Sequence, residues 1–187
     1  MKRILLMICV VLLSRNANAL DLAGIHLPDK VQVGDASLQL NGAGIRTKFF
    51  FKIYVGALYL PQKQASAEAI IADGHEHRVA LYMLHELSGA KLFSAFNEAI
   101  EANYSSAELA GLDTQIKQMA QIFEAVREVK PGDIIMLDYL PVSGTRITMN
   151  GTERGIIAGA SFSRALLKIW LGSRPVQDDL KKDLLGG

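Results

Sequence analysis

The stretch LNGAGIRTKFFFKIYVGALYLP, Leu40–Pro61, decides the fold. Asn41-Gly42-Ala43-Gly44 has the composition of a turn, because asparagine and glycine tolerate backbone angles that other residues avoid. From Arg46 to Leu60 the chain reads as one long strand, which Pro61 ends. Strand geometry sends alternate side chains to opposite faces. The odd positions from Thr47 to Tyr59 make one face almost wholly apolar. The even positions mix Arg46, Lys48, Lys52 and Tyr54 with Phe50, Leu58 and Leu60. That second face suits either a partly wet cavity or solvent.

Working outward, Val31–Val33 and Ser37–Leu40 alternate around a Gly34-Asp35 turn and read as two short strands. Ser66 suits the N-cap of a short helix reaching Ala72, and His77–Leu84 reads as a strand. Apolar residues recur at helical spacing over Ala90–Asn103 and again over Ser106–Arg127. Asp133–Leu140 and Thr145–Asn150 form a hairpin around Pro141–Gly144. Asn150-Gly151 then turns the chain into a strand over Glu153–Ile157. Helices over Ser161–Leu171 and Val176–Leu185 close the sequence. Antiparallel strands segregated from helices predict an α+β fold, with the helices packed on one face of the sheet.

The 187 residues carry a formal charge of +1 and half are hydrophobic. Met1-Lys2-Arg3, the apolar run Ile4–Leu13 and Ala17-Asn18-Ala19 have the layout of a signal peptide cleaved after Ala19. Cleavage leaves one domain over residues 20–187, with a net charge of about −2 and no basic stripe, so nucleic acid is not an expected partner. It also removes Cys9, the single cysteine, which excludes a disulfide, a thiol nucleophile and a cysteine metal site. Ile8 before Cys9 argues against lipidation, and no later apolar run is long enough for a transmembrane helix.

Three segments in order resemble the chalcone isomerase-like superfamily in its short, exported bacterial form. They are NGAGIRTKFFFKIYVGALYLP, ELSGAKLFSAFNEAI (Glu86–Ile100) and SRALLKIWLGSRPVQDDLKKDLLG (Ser163–Gly186). The resemblance implies an open-faced β-sandwich with a ligand cleft between sheet and helices, in a periplasmic protein. It also implies that Arg46, after the glycine-rich stretch, and Tyr54, later on the same strand, face the ligand. Tyr54 stands where true isomerases carry threonine and the non-catalytic fatty-acid-binding members carry tyrosine. By the same matching, Leu92, Ala99 and Ile169 replace a tyrosine, an asparagine and a threonine or serine of the isomerases.

The residues themselves narrow the chemistry. His75 and His77, with Glu76 between them, lack further ligands and read as a solvated turn rather than a metal site. His26 and His85 stand alone. There is no G-x-S-x-G elbow, and Gly42-x-Gly44 does not open a helix as a dinucleotide loop would. Asp178-Asp179 suits the first turn of a helix, where the macrodipole favours carboxylates. Arg46 offers a permanent cation with a planar donor fork, and Tyr54 one hydroxyl. The plain alternative is a solvated arginine at a strand end and a half-buried tyrosine. Eight residues of straight strand would separate the pair by about 26 Å, so either the chain bends sharply near Phe50-Phe51-Lys52 or the pair does not act together.

Three functions follow. The first is a non-catalytic protein that holds a fatty acid or similar apolar carboxylate, needing no cofactor or metal. The second is an isomerase or intramolecular lyase acting on an unsaturated carbonyl compound. The third is an envelope interaction module docking through the polar face of Ser106–Arg127 and the acidic-basic C-terminal helix over Val176–Leu185.

Overall fold

The computed structural model describes residues 20–187; the expected signal peptide lies outside the described residues. In chain order the elements are β1 (Leu20–Leu22), β2 (Ile25–Leu27), β3 (Lys30–Val33), β4 (Ala36–Lys48), β5 (Phe51–Leu60), α1 (Ala67–Ala72), β6 (His77–Met83) and β7 (Leu87–Ser88). They continue as α2 (Gly89–Ala102), α3 (Ser106–Ala110), α4 (Asp113–Val126), β8 (Glu128–Val129), β9 (Ile134–Leu140), β10 (Gly144–Met149), β11 (Thr152–Ile157), α5 (Ala160–Leu171) and α6 (Asp178–Leu184).

Seven strands form one sheet in the order β11-β10-β9-β6-β5-β4-β3, every neighbouring pair antiparallel. Two small ribbons, β1-β2 and β7-β8, flank it. The larger core lies between the sheet and the helices. Tyr54, Leu58 and Leu60 of β5 and Val79, Leu81 and Met83 of β6 meet Leu92, Phe96, Phe123, Phe162 and Trp170 there. Phe96 meets Phe123 and Trp170 edge to face, with centroids 5.4 and 5.8 Å apart. Each such pair adds roughly 1 kcal/mol beyond burial. The opposite face of β5, through Val55, Ala57 and Tyr59, joins a second cluster with Leu27, Val33 and Leu38. The sheet curls, bringing β3 back towards β9. On this second face Asp138, almost fully buried, accepts two bonds from Arg78 (2.5 and 2.7 Å) and one from Arg146 (3.0 Å).

Four local expectations are corrected. Asn41–Gly44 is not a turn but the middle of β4, and its glycines serve close packing. A Cβ at Gly42 would collide with the Asp183 carbonyl oxygen, and one at Gly44 with the Asp183 side chain. Helix α6 therefore lies directly on β4. The buried Asn41 side chain fastens it there, donating to the carbonyls of Leu184 (2.8 Å) and Gln64 (3.0 Å) and accepting from the Gln64 amide (2.7 Å).

Second, Arg46–Leu60 is not one strand. The chain reverses through Phe49-Phe50, with Lys48 paired to Phe51. Third, the helix expected over Ser106–Arg127 breaks at Gly111-Leu112. A capping box between Ser105 and Glu108 starts α3, Gly111 ends it, and Leu112 turns inward before α4 begins.

Fourth, His77 opens a strand, β6, as expected but is not solvated. It is buried and stacks on Tyr139 at 5.1 Å. Its Nδ1 lies 3.2 Å from the His75 carbonyl, which can only accept, so Nδ1 carries the proton. Nε2 then accepts from the Ser163 hydroxyl at 3.1 Å. Burial holds the His77 pKa down to about 4, against opposing help from the His75 carbonyl and the more distant Asp73 and Asp138. His75, by contrast, is exposed and pairs with Asp73. Among the described residues there is no group of three metal-ligating side chains.

Candidate functional site

The reversal at Phe49-Phe50 removes the 26 Å separation. It lays β5 back along β4 with Arg46 directly opposite Tyr54. Residues directly opposite in an antiparallel pair project to the same face about 5 Å apart. The register slips once beside them: Arg46 pairs with Tyr54 but Thr47 pairs with Lys52, so Ile53 is an extra residue. This β-bulge lets consecutive Ile53 and Tyr54 both line one cleft, which strict alternation forbids. The Ile53 carbonyl is satisfied by the amides of Leu84 (2.9 Å) and His85 (3.2 Å).

The cleft has a volume of about 510 Å³, within the range usual for small-molecule sites. The hairpin supplies one wall through Arg46, Lys48, Ile53 and Tyr54. Helix α2 supplies another through Leu92, Ala95, Phe96 and Ala99, with Lys91 and Glu98 beside them. Ile169 of α5 and the Arg174–Val176 loop complete it. Asn103 pins that loop to the end of α2: its side chain donates to the Arg174 carbonyl (2.8 Å) and accepts from the Arg174 amide (3.0 Å).

Tyr54 is buried, and its oxygen accepts a 2.9 Å bond from the Trp170 indole N–H. The phenol keeps its own proton to donate, and among the described residues no protein acceptor takes it. Burial pushes the Tyr54 pKa up to about 12; the Trp170 bond and the nearby Arg46 charge oppose this only in part. Tyr54 is therefore a neutral donor at ordinary pH.

Arg46 is half-buried. Its Nη1 donates to the Thr47 carbonyl and to Gln177 Oε1 at 3.2 Å. The same Gln177 oxygen accepts from the Thr47 amide (2.9 Å), while its Nε2 donates to the Ile45 carbonyl (3.3 Å). No carboxylate among the described residues forms an ion pair with Arg46. The cleft thus presents a fixed guanidinium and a neutral hydroxyl on a largely hydrocarbon wall. That arrangement can hold an anionic head and an apolar body.

The positions matched to isomerase polar residues, Leu92, Ala99 and Ile169, all line this cleft together with Arg46 and Tyr54. Sequence reasoning missed Gln177 and Trp170. Gln177 occupies the N-cap position of α6 yet makes no capping bond. Glutamine is not among the residues favoured there, which was the available signal. Trp170 carried none, since its bond to Tyr54 spans 116 residues.

The chain matches the chalcone isomerase-like family over residues 19–186. No curated protein matches it in sequence. Among solved structures it is similar in fold to a fatty-acid-binding protein of Arabidopsis thaliana, with a TM-score of 0.70 at 15% identity, covering 90% of this chain and 96% of the other. The family match spans the described sheet, the helices and the cleft between them, and this chain belongs to the chalcone isomerase-like family.

Proposed function

We propose that this protein is a non-catalytic carrier of a fatty acid or a similar apolar carboxylate, acting in the periplasm of a bacterium after removal of residues 1–19. The observation that carries the reading is Arg46. It is a half-buried cation without a carboxylate partner among the described residues, set opposite the Tyr54 hydroxyl on a wall of Leu92, Phe96, Ala99 and Ile169. An anionic head would take the guanidinium fork and the phenol proton, and its chain would run along the apolar wall. The fold neighbour from Arabidopsis, a fatty-acid-binding protein, supports the same reading. Isomerase chemistry would need polar groups to stabilise developing charge where Leu92, Ala99 and Ile169 stand.

Isothermal titration of delipidated protein with saturated fatty acids from lauric to stearic tests the reading. Native mass spectrometry of gently extracted protein would show whether a ligand is carried from the cell. One-to-one binding of at least one acid is expected. Absence of binding by the whole series, together with a homogeneous ligand-free protein on extraction, would overturn the proposal.

A further inference from the structure

The tip of the β4-β5 hairpin is built from apolar residues that the core does not use. Phe49, Phe50 and Phe51 leave 84%, 100% and 56% of their surface exposed. Phe51 also lies against the His85 ring, with centroids 4.9 Å apart, yet the three adjacent rings leave a largely exposed apolar patch, and such patches mark interaction sites. Exposed Lys48 and Lys52 flank them. The adjoining cleft wall adds Arg46, Lys91 and Arg174 against the single carboxylate of Glu98. The tip is therefore apolar at its end and cationic around its base.

The backbone points the same way. Phe49 has φ +56° and is the first central residue of a two-residue turn, a position where glycine is usual when φ is positive. A bulky residue is a genuine outlier there. Strain of this kind persists where the residue is used. Glycine would relax the turn and remove an exposed ring, yet the chain keeps phenylalanine.

We infer that this tip docks the protein on an anionic lipid bilayer. The three rings enter the boundary between headgroups and acyl chains, and Lys48 and Lys52 take the headgroup phosphates. No described helix is long and apolar enough to cross a membrane, so the described residues make this contact peripherally. A second copy of the chain fits the tip poorly, because two tips would bring like-charged lysines together. The inference does not depend on what the cleft binds.

Vesicle flotation tests it, using phosphatidylcholine alone and phosphatidylcholine mixed with phosphatidylglycerol. Wild type and variants are prepared with the same N-terminus, so residues 1–19 contribute equally. Wild type is expected to float with the anionic vesicles and to be released by salt. Phe50→Ser should weaken that binding on the order of tenfold, the loss expected from one unburied ring. Lys52→Glu should abolish the preference for anionic lipid. Phe49→Gly should weaken binding while raising the thermal midpoint, a combination that unfolding cannot mimic. Fatty-acid titration of Phe50→Ser should match wild type, since Phe50 does not line the cleft; failure of the docking site is thereby separated from failure of the cleft. Equal flotation of wild type and Phe50→Ser would overturn the inference. So would a wild-type dimer that Phe50→Ser converts to monomer without any vesicle binding.

Discussion

Replacing Arg46 with methionine removes the guanidinium and keeps a flexible apolar stem of similar reach. A carboxylate held 4 Å from a guanidinium interacts by about 4 kcal/mol at the effective dielectric typical near a protein surface. Arg46 is half-buried rather than enclosed. Solvent screening and the cost of desolvating the ligand's head therefore reduce the net to about 2 kcal/mol. That corresponds to roughly a thirtyfold loss of affinity. The loss should be confined to charged ligands. Calorimetric titration with a fatty acid and with its methyl ester separates the effects. In wild type the acid should bind more tightly than the ester. In Arg46→Met the acid should weaken about thirtyfold and the ester by less than about threefold, a coupling that a pairwise cycle reads directly. Gln177 keeps its bonds to the Thr47 amide and the Ile45 carbonyl in the variant, so the hairpin should retain its place and the thermal midpoint should stay close to wild type. Equal weakening of acid and ester, or an unchanged acid, would refute an electrostatic role for Arg46.

Two further predictions concern stability. Neutral His77, with a pKa near 4 when folded against an ordinary value of 6.5, contributes stability that is fully present above about pH 6.5. The contribution is lost as pH falls towards 4, to a total on the order of 3 kcal/mol. Urea unfolding from neutral to acid pH should show this slope, and His77→Gln should flatten it; an identical slope in the variant would remove His77 from the account. Gly42→Ala should cost about 1–3 kcal/mol, because the new Cβ meets immovable backbone of α6 rather than a side chain that can swing away. Thermal unfolding reads the loss, and hydrogen exchange should place the lost protection in α6; an alanine variant as stable as wild type would contradict the close packing.

The fold class was legible because the helical stripes were strong and the strands were bounded by turn residues, although apolar clusters on both faces of the curled sheet turn β5 into a continuous apolar run rather than an alternating one. The error at Asn41–Gly44 has a physical cause. Glycine signals a turn and a close approach equally well, and here it is α6 that approaches. The true turn, Phe49-Phe50, carries no turn residue at all. Its one trace was indirect: two residues matched to a single ligand could not lie eight apart on a straight strand, and a reversal near Phe50 resolves the conflict. The break at Gly111 was visible as a glycine inside a helical pattern, but the stripe continued across it because Leu112 still turns inward. Asp138, a carboxylate in the apolar run IIMLDYL, drew no reading from the sequence. Only the sheet register brings Arg78 and Arg146 to it, from the strands on either side.

The hairpin ties the cleft to the tip by distance. Arg46 lies three residues before Phe49, about 10 Å along the strand. Rings buried about 5–10 Å into the headgroup–acyl boundary would leave the guanidinium near the level of the phosphates. A fatty-acid carboxylate rests at that depth, because its chain lies among the acyl tails and its head stays hydrated. Where both proposals hold, a ligand moves from bilayer to cleft with its head kept near one depth and its tail kept out of water. Transfer then requires contact between protein and vesicle. The rate at which a fluorescent fatty acid leaves vesicles for the protein should rise with vesicle concentration for wild type. For Phe50→Ser it should lose that dependence, falling to the rate set by escape of the monomer into water. A wild-type rate indifferent to vesicle concentration would mean that the ligand arrives through solvent, and that the tip, whatever it touches, does not feed the cleft.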